Sequence, residues 1–137
     1  DPGALPAAIA QREGLRVIPL TGPSSIFMGL MASGFNGQGF TFNGYLPIDD
    51  GARAAAIRRL EKTARSTGVT QIFIETPYRN QKMLQTLAAT LRPDTLLTVA
   101  AAVTDPQHES ILTLPAAKWR THKGIPPKTP AVFIIGN

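Results

Sequence analysis

Two stretches of this sequence carry residues suited to holding a polar ligand: Pro19-Leu-Thr-Gly-Pro-Ser-Ser25 and Thr70-Gln-Ile-Phe-Ile-Glu-Thr-Pro-Tyr-Arg79. In each, an apolar run that reads as a strand passes into a turn of small or special residues and then opens a helix. In α/β proteins, strand carboxyl ends and helix amino termini converge at such turns, so backbone N–H groups left unpaired by the first helical turn face a crevice. Two such turns in one chain point to one composite site. The first supplies the hydroxyls of Ser24 and Ser25, with Ser24 read as a helix N-cap or as a donor to a ligand. In the second, Glu75 is an acidic side chain at a strand end beside a ligand turn. It has two readings: a proton acceptor for an attacking hydroxyl, or a brace for the Thr-Pro turn that follows it. Arg79 likewise pairs either with an anionic substrate or with Glu75.

Other chemistries lack their residues. With no Cys in the chain, a disulfide scaffold, a thiolate metal site and a Cys nucleophile are all excluded. His108 and His122 stand without a second histidine or a carboxylate at ligand spacing on one helix face, so no metal is expected. Gly22-Pro-Ser-Ser25 is not the elbow that brackets a nucleophile with glycines two residues either side, and neither a Walker loop nor a dinucleotide glycine fingerprint occurs. An adenosine-like or polar ligand held mostly by main chain remains. The net charge of +5, from 14 Lys and Arg against 9 Asp and Glu, favours an anionic partner such as RNA or a polycarboxylate. No stretch approaches the ~18 apolar residues of a membrane span, and no secretory signal is visible. A soluble, cytoplasmic protein is expected.

The elements that must position these residues follow from periodicity. Residues 4–12 read as a helix stopped at Gly14, 16–20 as a strand, and Ile26, Phe27, Leu30 and Met31 as the face of a helix stopped at Gly34. Gly34-Phe-Asn-Gly-Gln-Gly39 places three glycines in six residues and is read as a hinge between domains. Beyond it, 40–46 alternates as a strand, Pro47-Ile-Asp-Asp50 supplies a stop and an N-cap, and 51–66 forms a helix. Arg53, Arg58, Arg59, Lys62 and Arg65 make that helix basic, either as a solvated face or as an RNA contact, while Ala55, Ile57, Leu60 and Ala64 face inward. Strands are expected at 71–75, 95–103, 109–114 and 131–135, helices at 78–91 and 115–120, and a basic loop at 121–129. The fold class is therefore α/β: one five-stranded mixed sheet with flanking helices, preceded by a helix-strand-helix remnant. The chain opens on Asp1-Pro-Gly3 without an initiating Met and reads as a piece of a longer protein.

Six motifs in order carry a resemblance: Asp1-Pro-Gly3, Pro19-Leu-Thr-Gly-Pro-Ser-Ser25, Met31-Ala-Ser-Gly34, Phe42-Asn-Gly-Tyr-Leu-Pro47, Ile72-Phe-Ile-Glu-Thr-Pro-Tyr-Arg79 and Pro130-Ala-Val-Phe-Ile-Ile-Gly136. Together they resemble the tetrapyrrole methylase superfamily, within it the branch of ribosomal RNA small subunit methyltransferase I. The resemblance implies two α/β lobes with S-adenosylmethionine in the cleft between them. Residues 1–37 would be the end of the amino-terminal lobe or a linker, and 38–137 the carboxy-terminal lobe. By the same resemblance the cofactor contacts are Ser24 and Ser25, the backbone at Glu75, and the backbone at Val103, with Tyr78 and Arg79 on the substrate side and a homodimer as the assembly.

This chain departs from the branch where substrate is concerned. Ala101-Ala-Val-Thr-Asp-Pro106 replaces the Arg-Glu pair and Thr-Lys expected there, and Tyr78 stands where the branch carries His. Three functions follow. The first is part of an S-adenosylmethionine-dependent ribosomal RNA methyltransferase, acting on a ribose 2'-hydroxyl, with the fragment inactive by itself. The second is methylation of a tetrapyrrole or other small anionic metabolite. The third is a non-catalytic binding or dimerisation module.

Overall fold

The computed structural model describes residues 2–137, so Asp1 of the Asp-Pro-Gly motif lies outside it. The elements run α1 (Ala4–Arg12), α2 (Ser25–Ser33), β1 (Phe40–Tyr45), α3 (Asp50–Thr67), β2 (Thr70–Ile74), a 3-10 turn (Pro77–Arg79), α4 (Asn80–Thr90), β3 (Leu96–Ala101), β4 (Ser110–Pro115), α5 (Ala116–Trp119) and β5 (Ala131–Gly136). The strands form the expected five-stranded mixed sheet in the order β1-β2-β5-β3-β4. β1 and β2 are parallel through the α3 crossover, and the three remaining pairings are antiparallel. As a result β2 and β3 both end at one edge of the sheet, where β5 begins.

Local chemistry explains the ends of α3, the longest helix. Asp49 Oδ1 accepts a hydrogen bond from the Ala52 amide at 2.8 Å, and Gly68 closes the helix at a φ of 71°. Alternation along each strand then sorts side chains to two faces. Phe73, Leu97, Val99, Phe133 and Ile135 pack under α3, α4 and α5, with Phe73 and Phe133 stacked at 5.8 Å. Ile72, Ala100, Val132 and Ile134 face the other way and meet Leu30 of α2. Gly29 lets α2 come close: a Cβ there would stand 3.2 Å from Ala100 Cβ and 3.4 Å from Ile134 Cδ1.

Three expectations are corrected. Residues 16–20 form no strand: Leu15, Val17, Ile18 and Leu20 are exposed, and an apolar run becomes a strand only against a partner strand, which none of the described residues provides. The upstream segment is thus helix, extended chain, helix. Arg53 does not belong to the basic face of α3. It is 2 % exposed, with Nε and Nη2 donating to the carbonyls of Pro47 and Ile48 at 3.0 and 2.6 Å, and its guanidinium staples the chain entering the helix. Ala55 is exposed, and Ala56 takes the inward position, because Ile57, Leu60 and Ala64 fix the buried stripe at spacings of three and four.

Candidate functional site

A cleft of about 580 Å³ opens where β2 and β3 end and β5 begins. Ser25 reaches it from the first turn of α2, Glu75 from the residue after β2, and Val103 from the loop after β3. The structure therefore brings together three of the residues singled out in the sequence, from three separate elements. Ser24 holds the N-cap position of α2 in extended conformation without a side-chain cap, and its carbonyl accepts from the Met28 amide at 2.9 Å. It is not among the cleft-lining residues. The remaining N–H groups of the first α2 turn have no intrahelical acceptor, and Ser25 places that turn at the cleft.

Glu75 is 6 % exposed, and its Oε1 accepts from the Thr76 amide at 2.7 Å, the Thr76 hydroxyl at 3.2 Å and Arg79 Nη2 at 3.0 Å. Burial pushes this carboxyl up, but the hydrogen bonds from Arg79 and Thr76 outweigh it and hold the group below its ordinary range. This is a carboxylate ionised at neutral pH, engaged in bracing the Thr-Pro turn. Glu75 thus bonds to the Thr-Pro turn that follows it, and Arg79 forms a local ion pair with Glu75.

Glu75 also borders a second cavity of about 450 Å³, on the side of Tyr45, Ile48 and Arg79. Arg79 lies 5.1 Å from the Tyr78 ring centre, and its Nε is buried without an acceptor. A buried donor with no acceptor among the described residues is rare in folded proteins. Tyr78 is exposed beside it.

Two features of the cleft were not legible in the sequence. Ala102 and Thr104 hold φ values of 49° and 76°, so the loop bearing Val103 passes twice through the left-handed region without a glycine. The turn is locked from behind: Glu109 accepts from the Thr104 amide at 2.6 Å, and Asp105 accepts from the Gln107 amide at 2.9 Å and pairs with His108 at 2.9 Å. The Gln107 amide first, and His108 after it, hold the Asp105 carboxyl below its ordinary range. Asp105 itself lines the cleft, at the point where a basic residue was expected. Among the described residues no group of three or more His, Cys, Asp or Glu side chains is placed to hold a metal ion.

Comparisons with known proteins bear on this arrangement. No family model matches the chain. It is 31 % identical over 121 residues to the ribosomal RNA small subunit methyltransferase I of Vibrio cholerae, a match that covers 88 % of this chain and 40 % of that protein. The protein of the same name from Xylella fastidiosa is 35 % identical over 104 residues, covering 76 % of this chain and 37 % of the relative. In solved structures, the methyltransferase CobJ superposes with a TM-score of 0.55 at 19 % identity, over 96 % of this chain and 55 % of the other. Uroporphyrin-III-C-methyltransferase from Thermus thermophilus gives 0.54 at 18 % identity, over 99 % and 58 %. By sequence the chain is similar to the ribosomal RNA small subunit methyltransferase I proteins, and by fold to the tetrapyrrole methyltransferases. It spans about two fifths of the length of these curated relatives. The structures, at their low identity, establish the tetrapyrrole methylase fold for this chain and no more. No helix among the described residues is long and apolar enough to cross a membrane.

Proposed function

We propose that this chain supplies part of the cofactor cleft of an S-adenosylmethionine-dependent methyltransferase that acts on ribosomal RNA at a ribose 2'-hydroxyl. The observation that carries this reading is the convergence of Ser25, Glu75 and Val103 on one cleft from three elements. The names of the curated relatives support the reaction class and RNA as acceptor, and the charge of +5 agrees with an anionic partner. One structural neighbour was solved with S-adenosyl homocysteine.

The residues present fit such a cofactor by their chemistry. Ile74, Ala100 and Val132 give apolar walls for a purine, main chain at Glu75 and Val103 gives polar contacts at its edge, and the first turn of α2 offers N–H groups to a carboxylate. When bound, the cofactor supplies a methyl group on a sulfonium, open to in-line attack by an acceptor oxygen. What this chain does is bind, orient and keep out water. Glu75 acts by position, holding Thr76 and Pro77 so that the strand end stays open. The Ala102–Thr104 turn holds Val103 rigidly in the cleft wall. Tyr78 and Arg79 serve the substrate side, with Arg79 Nε as the waiting donor and Tyr45 as an exposed ring against which a base can stack.

In the same proposal, residues 1–37 are the end of an amino-terminal lobe or a linker and 38–137 are the carboxy-terminal lobe, with α2 seated on that lobe's sheet. A homodimer is the proposed assembly, with β1 and β4 as the outer strands of the sheet.

Calorimetric titration of the chain with S-adenosylhomocysteine tests the cleft. Ser25→Tyr, which fills the cleft from an exposed position, is expected to weaken binding at least tenfold with an unchanged melting temperature. Equal affinity in the variant overturns the assignment. Incubation of the chain extended upstream to include the amino-terminal lobe with methyl-labelled S-adenosylmethionine and undermethylated ribosomal RNA tests the acceptor. Label in alkali-resistant dinucleotides is expected, since a 2'-O-methyl group removes the nucleophile for alkaline cleavage. Label in mononucleotides moves the acceptor to a base, and label only in a small-molecule extract moves the substrate to a metabolite.

A further inference from the structure

At the opposite end of the sheet from the cleft, α3 and the turn leaving α4 enclose a groove of about 380 Å³ bordered by Arg58, Lys62, Arg65 and Arg92. The topology fixes this separation. α3 ends where β2 begins and α4 ends before β3 begins, whereas the cleft lies where β2 and β3 stop. Arg58, Lys62 and Arg65 follow one another at spacings of four and three, so they form one stripe on α3, about 10 Å long at 1.5 Å of rise per residue. Like charges at that spacing destabilise a helix unless something neutralises them. Among the described residues Arg58 and Lys62 have no ion-pair partner at all.

The fourth cation is held in place by buried structure. Glu61, 6 % exposed, turns its carboxylate inward to accept from the Arg92 amide at 2.9 Å and from the Thr95 hydroxyl, which pins the α4–β3 turn against α3. Arg65 Nη1 reaches Asp94 and Thr95, each at 3.3 Å, across the same junction. The acidic side chains here are thus occupied in fixing the groove, and two of its cations are left free. A groove with a row of cations, two of them unneutralised, and no aromatic ring suits a chain of phosphates read by charge alone.

We infer that this groove is a docking site for the phosphate backbone of the RNA substrate, remote from the point of methyl transfer. The inference rests on the RNA reading of the proposed function and adds to it a second contact surface. RNA that spans both ends of the sheet would be held by its backbone at α3 while one nucleotide is presented at the cleft. Arg58 and Lys62 then contribute to affinity and not to chemistry.

The test is the binding of a ribosomal RNA fragment to the chain across a salt series, for the wild type and for Arg58→Gln/Lys62→Gln. Both side chains are exposed and make no hydrogen bond, and glutamine keeps helix propensity. A control, Lys118→Gln/Lys123→Gln, removes the same net charge from exposed positions elsewhere. The groove variant is expected to bind at least tenfold more weakly at low salt, with the slope of log K against log salt reduced by about 0.7 to 0.9 per cation removed. Its affinity for S-adenosylhomocysteine should be unchanged, and the control should behave as wild type. If wild type and groove variant bind RNA alike, or if the control loses as much as the groove variant, the docking site is overturned and the RNA reading stands. If the wild type binds no RNA while S-adenosylhomocysteine still binds, the RNA reading falls and the groove assignment with it.

Discussion

The two faces of the sheet are unequal. Among the described residues, the face under α3, α4 and α5 gathers eighteen buried apolar side chains into one cluster, and the face under α2 gathers five. The candidate cleft opens on the thin face: Ala100 and Val132 belong both to its small core and to the cleft wall, and Ile74 packs on that core. Stability and ligand contact are thereby divided between opposite sides of the same strands. A region that has to receive a ligand keeps apolar surface unpacked, and the closed face compensates for it.

Neighbouring residues of β5 put this division to the strongest test. Phe133 is fully buried on the thick face against Phe73, while Val132 points to the thin face and the cleft. Phe133→Ala is expected to lower stability by about 3–5 kcal/mol, and Val132→Ala by about 2 kcal/mol or less, measured as urea midpoints at constant slope. Only Val132→Ala should alter the affinity for S-adenosylhomocysteine. Equal losses for the two would show that the faces share the load.

The division also explains what was readable in advance. The sheet was legible because Gln71-Ile-Phe-Ile and Ala131-Val-Phe-Ile-Ile are runs buried on both faces, and such runs identify central strands whatever covers them. Glu75 and Ser25 were singled out because a passage from an apolar run into turn residues marks where a helix opens, and Val103 by resemblance alone; the structure sets all three on one cleft. Residues 16–20 misled because an apolar run reports a capacity to pair and contains no information on whether a partner strand exists. Arg53 misled because charge pattern alone does not show that the carbonyls of Pro47 and Ile48 turn back to meet it. The left-handed turn at Ala102 and Thr104 leaves no trace in residue type, since tertiary bonds to Glu109 and Pro130 impose it on ordinary residues.

Gly29 sharpens the comparison at intermediate cost. It is the point of closest approach of α2 to the sheet, and the thin face has no deep core to absorb a displacement. Gly29→Val is expected to lift α2 from Ala100 and Ile134, lowering stability by about 1–3 kcal/mol as overpacking does. Because Ser25 moves with the helix, cofactor-analogue affinity should fall several-fold in the same variant, while amide exchange of β5 residues on the thick face stays slow. A stability loss without loss of affinity would show that α2 does not shape the cleft.

The smallest effect concerns the carboxylate between the two cavities. The folded state holds Glu75 below its ordinary pKa through Arg79 and Thr76, against the opposing push of burial. A group depressed in this way stabilises the fold above its unfolded pKa, and that contribution fades as pH falls through the folded pKa. The melting temperature of wild type minus that of Glu75→Gln should therefore be greatest near pH 7, corresponding to about 1 kcal/mol, and shrink steadily below about pH 4.5. Asp50, Asp94 and Asp105 are also held low and titrate in the same acid range, but they are present in both proteins and cancel in the difference. A difference that stays constant down to pH 3 would mean that the amide replaces the carboxylate in its bonds and that charge at Glu75 is not what braces the turn. The shrinking difference, together with cofactor-analogue affinity that changes little in Glu75→Gln, would place the side chain's role in the turn and leave its main chain as the group that faces the ligand.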